Sequence, residues 1–345
     1  MKYIGIDYHN QYFVSTVMNQ QGEVISRSRV NTDRNSISTY FNNLSSEGEK
    51  LKVVVEACYS WSYFYDQIID KVDEVQLAHP LKTRAIAEAR IKTDTIDSTI
   101  LAHLLRADLI ARAYTPEFET RNKRNLFRYR SSLVKMRTRL KNLVHSVIAR
   151  NHVESKEFTD YSNKFGKRAV KCIRGFKLKG NDTGILNKYI DLIEQFDLKI
   201  KEVSTQITKT VRNDQICGLL CSVPGIADIL SMTIRYEIDD IGRFVSSRKL
   251  CSYAGLVPST YSTGGITYQG RITKQGNKWL RWALVEAAHS AISCDLSLKQ
   301  FYNKIAAKRG KNRAKIAVAR KLLEIIYCVW KQKRPYYQKP VAVAL

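Results

Sequence analysis

Four acidic residues stand where a hard cation could be held. Asp7 lies in a short apolar segment, Tyr3–Tyr8, and Glu56 follows three valines at the end of Leu51–Glu56. Asp94 and Asp97 are three apart, so a helix would place them on one face. Carboxylates gathered in one place repel one another unless a cation is present. Mg²⁺ takes oxygen ligands, and two ions held about 4 Å apart stabilise both the attacking and the leaving oxygen of a phosphoryl transfer. A single acid at a strand end is more often a solvated surface residue, and Asp pairs are common on exposed helices. The joint pattern, with both strand acids in apolar company, favours a metal site made of Asp7, Glu56, Asp94 and Asp97.

A second run carries hydroxyls and glycines. Residues 253–281 read YAGLVPSTYSTGGITYQGRITKQGNKWLR. Such glycine density marks backbone that must approach something closely. Lys274, Asn277, Lys278 and Arg281 supply groups suited to phosphate. Ser259 and Ser262 beside glycines would ordinarily cap turns. No His or second base is adjacent, which gives a Ser-His-Asp hydrolase little support. Upstream, Cys221-Ser-Val-Pro-Gly-Ile226 resembles the turn of a helix-hairpin-helix element, whose backbone N–H groups at Gly225 could hold a phosphate. A plain tight turn is the simpler reading.

Positioning the acids requires particular elements. Tyr3–Tyr8, Tyr12–Met18 and Glu23–Asn31 read as a three-strand meander. A helix around Ser36–Leu44, a buried strand Leu51–Glu56, a second helix and a strand Glu74–Ala78 follow. That order is ribonuclease H-like and sets Asp7 and Glu56 on adjacent strands. Residues 83–112 read as one helix with an apolar stripe through Ala85, Ala89, Ile96, Ile100, Leu104 and Leu105. Residues 121–150 predict a long basic helix. Arg121, Lys123, Arg124, Arg128, Arg130, Lys135, Arg137, Arg139 and Lys141 lie in its first part with no acid among them. Leu126, Leu133, Leu140 and Val147 recur every seven residues. After a polar loop or crossover at 151–184, residues 185–211 carry a second heptad, with Leu186, Ile193, Ile200 and Ile207 at one position and Tyr189, Phe196 and Val203 at the other. The two segments predict an antiparallel hairpin or a dimerising coiled coil. A basic helix at 313–333 closes the chain.

Composition bounds the partners. Lys and Arg number 57 against 32 Asp and Glu, a formal net charge of +25 over 345 residues. So large a surplus calls for a polyanion, and nucleic acid fits best because neutralised phosphates release counterions. An anionic membrane surface is the weaker alternative, since no apolar run reaches spanning length. The opening MKYIGIDYHN lacks the charged and apolar regions of a secretory leader. Seven scattered cysteines suit a reducing compartment, and Cys217 and Cys221 read as a helical core pair rather than half a zinc site. These features predict a cytoplasmic, nucleoid-associated protein.

GIDYH, VVVEAC and KTDTID resemble the DEDD motif of insertion-sequence transposases whose catalytic domain is RuvC-like, a group that includes the pilin-gene invertases. GLVPS, STGG and ITKQGNKWLR resemble the C-terminal transposase domain of the same family. The resemblance implies an α/β fold in three parts: a RuvC-like domain over 1–115, a basic coiled-coil connection over 116–210, and a mainly α serine transposase domain over 211–345. It implies Mg²⁺ at Asp7, Glu56, Asp94 and Asp97, and a serine that attacks DNA to form a phosphoserine link, with Ser262 the first choice and Ser259 the second. It implies excision and insertion of an element, a structured bridge RNA as guide, and a homo-oligomer, dimer or tetramer. Two other functions fit parts of the pattern: a Holliday-junction resolving endonuclease using the acids and water, and a non-catalytic nucleic-acid-binding protein with structural acids.

Overall fold

The computed structural model describes residues 1–45, 48–87 and 93–337. The chain divides into two compact units, Met1–Thr115 and Pro116–Leu345.

In the first unit, β1 (Lys2–Tyr8), β2 (Tyr12–Met18) and β3 (Val24–Asn31) form an antiparallel meander, as their alternation predicts. Then come α1 (Arg34–Ser45), β4 (Leu51–Glu56), α2 (Trp61–Ile68) and β5 (Glu74–Ala78). The sheet order is β3-β2-β1-β4-β5, with β4 parallel to both β1 and β5. Strand alternation sorts the two faces. Ile4, Ile6, Val53 and Val55 pack with Phe41, Phe64 and Ile68 beneath α1 and α2. Gly5 and Val54 point the other way, toward the helix that carries Leu101, Leu104 and Leu105. This mixed sheet with helices on both faces is the RuvC-like α/β fold.

The single helix expected over 83–112 is instead two. α3 is Pro80–Ile86 and ends at Ala87 in extended backbone. α4 is Asp94–Arg106 and starts at Thr93, whose hydroxyl accepts from the Ile96 amide at 3.2 Å. Ala89 of the expected stripe lies outside the described residues, and Ala85 is exposed. Residues after Arg106 leave the helix at Asp108, which has a positive φ, and return Arg112 to bridge the edge of β5 at Ala78.

The second unit opens with α5 (Phe118–Arg150) and returns along α8 (Asp182–Arg212). The pair is antiparallel: Arg130 meets Ser204, Arg137 meets Asp197 and Arg150 meets Asp182. The heptad residues pack within the chain. Leu133, Ile200 and Ile207 join Phe127, Cys217 and Met232 at one end, and Val144, Val147, Leu186 and Ile193 form a core at the other. The 151–184 stretch, expected as a loop, holds α6 (Lys156–Asp160) and α7 (Lys167–Arg174), whose Phe158 and Ile173 fill that far core. Each helix is too short to show a clear period in the sequence.

The remaining elements are α9 (Gln215–Cys221), α10 (Asp228–Ile238), α11 (Ser247–Tyr253), the hairpin β6 (Pro258–Thr263) and β7 (Ile266–Ile272), α12 (Lys278–Cys294), α13 (Leu296–Arg309) and α14 (Lys311–Gln332). Their core runs through Leu220, Ile234, Leu250, Leu284, Ala287, Leu322 and Ile326. Burial pushes the Cys217 thiol up to about 12, so it packs as a small apolar group. No helix among the described residues is long and apolar enough to cross a membrane.

Candidate functional site

Asp7 and Glu56 occupy odd and even positions on neighbouring strands, yet register puts them on one face. Ile6 pairs with Val55, so Asp7 and Glu56 stand one step beyond, both on the side covered by α4. α4 begins there, with Asp94 and Asp97 in its first turn. The Asp7 carboxyl is held above the usual carboxylate range. Burial is the largest cause, His9 opposes it, and the charges of Asp94, Asp97 and Glu56 add to it. The charges of the other three expected acids thus reach Asp7, but among the described residues only Asp94 joins it, with His9, within ligand distance; Glu56 and Asp97 do not.

The structure adds two residues that the motif reading passed over. His9 Nε2 lies 3.4 Å from both Asp7 Oδ2 and Asp94 Oδ2. The Tyr12 hydroxyl donates to Asp94 Oδ2 at 3.0 Å, and the Arg29 guanidinium lies 3.8 Å from the centre of its ring. His9 lies just past the end of β1, in the turn to β2, where only its nearness in sequence to Asp7 could have marked it. Asp7, His9 and Asp94 each offer a ligand atom within 4.8 Å of the others. His9 Nε2 is buried with no hydrogen-bond partner. With Asp7 and Asp94 facing it, this group of two carboxylates and one imidazole could hold a divalent cation. An open cleft of about 550 Å³ adjoins Asp94 and is lined by Arg27, Arg29, Thr93 and Thr95. Arg27 and Arg29 thus set positive charge beside the acids.

In the second unit, Ser259 and Ser262 lie on the β6–β7 hairpin, both exposed. Ser259 Oγ donates to the Arg271 carbonyl at 3.1 Å, so its proton is committed to the hairpin's own backbone. Ser262 Oγ faces Thr267 Oγ1 at 3.2 Å across the pair. That exchange between hydroxyls leaves Ser262 acceptor capacity and room for an incoming group.

Several expected phosphate contacts have other occupations. Glu237 is fully buried, and Arg128 reaches its carboxylate at 2.6 Å while Arg124 donates to the Tyr236 carbonyl at 2.7 Å and lies 3.7 Å from the same carboxylate. Arg130 and Arg137 bind Ser204 and Asp197 of α8. Lys123 pairs with Glu119 at 3.8 Å, and Arg121 is half-buried with its guanidinium 5.7 Å from the Phe118 ring centre. A buried acid in the neighbouring helices and acids on α8 thus claim charges that a single helix seemed to offer to solvent. Lys135 and Arg139 are exposed, and Lys141 lies 4.8 Å from the Phe165 ring centre. Asn277 caps α12, accepting from the Trp279 and Leu280 amides and donating to Glu237 and Tyr253, so its amide is spent within the protein. Arg281 donates to the Ala254 carbonyl at 2.9 Å. A Cβ at Gly225 would stand 2.3 Å from the Ala287 carbonyl, which explains that glycine by close packing against α12. Lys274 and Lys278 are exposed at the foot of the hairpin.

Comparison with known proteins agrees with both halves. The family model for the transposases of the IS116/IS110/IS902 family matches residues 217–303, and the model for DEDD transposases of the IS110 group matches residues 4–152. A probable family 20 transposase of Pseudomonas aeruginosa is 23% identical over 344 residues, covering 96% of this chain and 98% of the relative. The transposase for insertion sequence element IS1111A of Coxiella burnetii is 24% identical over 358 residues, covering 97% and 91%. The pilin gene-inverting protein of Moraxella bovis is 32% identical over 154 residues, covering 44% and 47%. With both models matched in order along well over half of its length, the chain belongs to the IS116/IS110/IS902 family of transposases.

Proposed function

We propose that this transposase excises and inserts an insertion-sequence element by strand exchange through a serine-linked DNA intermediate, with Mg²⁺ at the acidic site. The grouping of Asp7, His9 and Asp94 within ligand distance, with Glu56 and Asp97 near enough for their charges to raise the Asp7 carboxyl, is the observation that carries the reading. Asp7 and Asp94 would hold the cation, with Glu56 and Asp97 adding charge and His9 either ligating or steadying the carboxylates. When bound, Mg²⁺ supplies charge to neutralise the pentavalent phosphate.

Ser262 Oγ attacks the scissile phosphorus. The bond from phosphorus to the 3′ oxygen breaks, the 3′-hydroxyl leaves with a proton, and a 5′-phosphoserine remains. The 3′-hydroxyl of a second strand then attacks that phosphorus. The bond to Oγ breaks and the serine recovers its proton, so partners exchange without net hydrolysis. A serine hydroxyl is a poor nucleophile unaided, and Thr267 accepts or donates at its oxygen to orient it. Two such reactions per recombination call for at least a dimer, and a tetramer serves equally. Exposed Lys135, Arg139, Lys274 and Lys278 suit DNA and a structured bridge RNA alike. The working location is the cytoplasm, at the nucleoid.

The test is a denaturing gel of the protein with its co-purified RNA, labelled element-end DNA and Mg²⁺. A detergent-resistant protein–DNA adduct lost in Ser262→Ala and kept in Ser259→Ala supports the reading. Cleavage without adduct in any variant replaces it with water-driven hydrolysis, as in a junction resolvase.

A further inference from the structure

The β6–β7 hairpin has two chemically different faces. Tyr261 stands opposite Tyr268, and Thr263 opposite Ile266, so these four side chains share one face. Ser262 opposite Thr267, and Thr260 opposite Gln269, share the other. One face is aromatic and apolar; its reverse is hydroxyl and amide. The hairpin is a separate two-stranded sheet, and nothing in its own unit covers the aromatic face. Tyr261 is 70% exposed, Tyr268 59% and Ile266 58%. Two tyrosines and an isoleucine exposed together on one face offer a contiguous flat surface for a ligand to cover.

Charge says which partner. From Ile241 to Val285 there is no Asp or Glu, while Arg271, Lys274 and Lys278 flank the hairpin. An aromatic surface set in a purely basic stretch matches a strand of nucleic acid, whose bases stack on rings and whose phosphates meet the cations. A protein partner would have to bring an acidic, apolar patch to the same place. Paired DNA hides its base faces, so the fitting form is unpaired.

We propose that Tyr261 and Tyr268 form a stacking platform for one or two unpaired bases of the DNA strand being exchanged. The proposal rests on the serine reading: Tyr261 and Tyr268 lie on the reverse of the hairpin from Ser262, so the platform would hold the strand on the far face while the serine meets a phosphate where that strand passes the hairpin's edge. The tyrosines are positioning residues: they touch the substrate base and not the reacting atoms.

The experiment uses full-length Ser262→Ala protein in EDTA, so no strand is cut. The probes are a fluorescein-labelled 12-mer of single-stranded DNA, its duplex, its RNA equivalent, and the same single strand carrying one 2-aminopurine. Tyr261→Ala/Tyr268→Ala should weaken single-strand DNA binding about 10- to 100-fold and leave duplex binding within about twofold. The 2-aminopurine fluorescence should be quenched by the parent protein, recovered with the Ala pair, and quenched again with Tyr261→Phe/Tyr268→Phe. Equal loss for single strand and duplex, or quenching unchanged in the Ala pair, overturns the platform. Tighter, tyrosine-dependent binding of the RNA strand overturns the assignment to DNA. A change in oligomeric state with oligonucleotide affinity intact makes the face a contact between copies and overturns it as well. None of these readouts needs Ser262, so failure here is distinct from loss of the adduct in the gel.

Discussion

A Cβ placed on Gly5 would stand 2.0 Å from the Ser98 carbonyl oxygen and 2.5 Å from the Ala102 amide. β1 and α4 touch backbone to backbone at this point, which is what brings the first turn of α4 over the end of β1. A methyl group has nowhere to go, because every atom it meets is main chain. Gly5→Ala should therefore cost about 2–4 kcal/mol of stability or force α4 outward. Urea denaturation would read the first effect, and loss of Mn²⁺ binding the second. Gly184→Ala, in the first turn of α8 with open space around it, should be neutral or stabilising by up to about 1 kcal/mol. Equal behaviour of the two variants would refute the close-approach argument.

The raised Asp7 carboxyl makes a pH-dependent claim. Its ionised form is disfavoured in the folded protein by burial, so the cost is absent at low pH, where it is protonated in both states, and complete above its folded value. Asp7→Asn should thus raise Tm at pH 7 in EDTA, with the advantage shrinking as pH falls toward the ordinary carboxylate range. A bound cation reverses the sign. At about 100 times its Kd, Mn²⁺ should stabilise the parent by about 2.7 kcal/mol and leave Asp7→Asn unmoved. Calorimetry with and without metal decides it, and a Tm for Asp7→Asn below the parent in EDTA at pH 7 would count against the burial account.

Sequence pattern carried the sheet almost completely. The alternation of β1 to β3, the three valines of β4 and the parallel return to β5 each follow from period and burial, and with them the placing of Asp7 and Glu56. What was not legible is tertiary. The apolar stripe continues in sequence past Ala87, but the helix does not, because α4 restarts at the Thr93 cap. The charges of α5 read as a phosphate-facing row because Glu237 and Asp197, which claim Arg128 and Arg137, are distant in the chain. His9 went unread as a site residue because it sits in the turn after β1, where no periodicity marks which way its side chain points.

Those two kinds of arginine separate by measurement. Glu237 is fully buried between Arg128, Arg124 and Asn277. Glu237→Ala removes the buried carboxylate that Arg128 and Asn277 bind and should cost about 1–3 kcal/mol. Arg139→Ala, at an exposed position, should change stability by less than about 0.5 kcal/mol while reducing the salt dependence of DNA binding by about one phosphate contact. Thermal melts and filter binding at several salt concentrations distinguish them. A stable Glu237→Ala protein would mean that the arginines turn to solvent and belong to the nucleic-acid surface after all.

The hairpin turn offers a last separation, between folding and chemistry. Gly264 and Gly265 both have positive φ, 55° and 79°, between the paired residues Thr263 and Ile266. A two-residue turn with that geometry matches the twist of its strands and favours Asn-Gly or Gly-Gly. Gly264→Asn should preserve the hairpin and the adduct. Gly264→Val places a β-branched side chain in the left-handed region at a cost of at least about 1–2 kcal/mol. Because β6 and β7 are exposed and form their own small sheet, that cost falls on the hairpin and not on the helical core. Gly264→Val should melt at nearly the parent temperature yet lose most adduct formation, since the strand register that sets Ser262 against Thr267 is lost. If adduct yield survives Gly264→Val, the ordered hairpin is not what presents the serine.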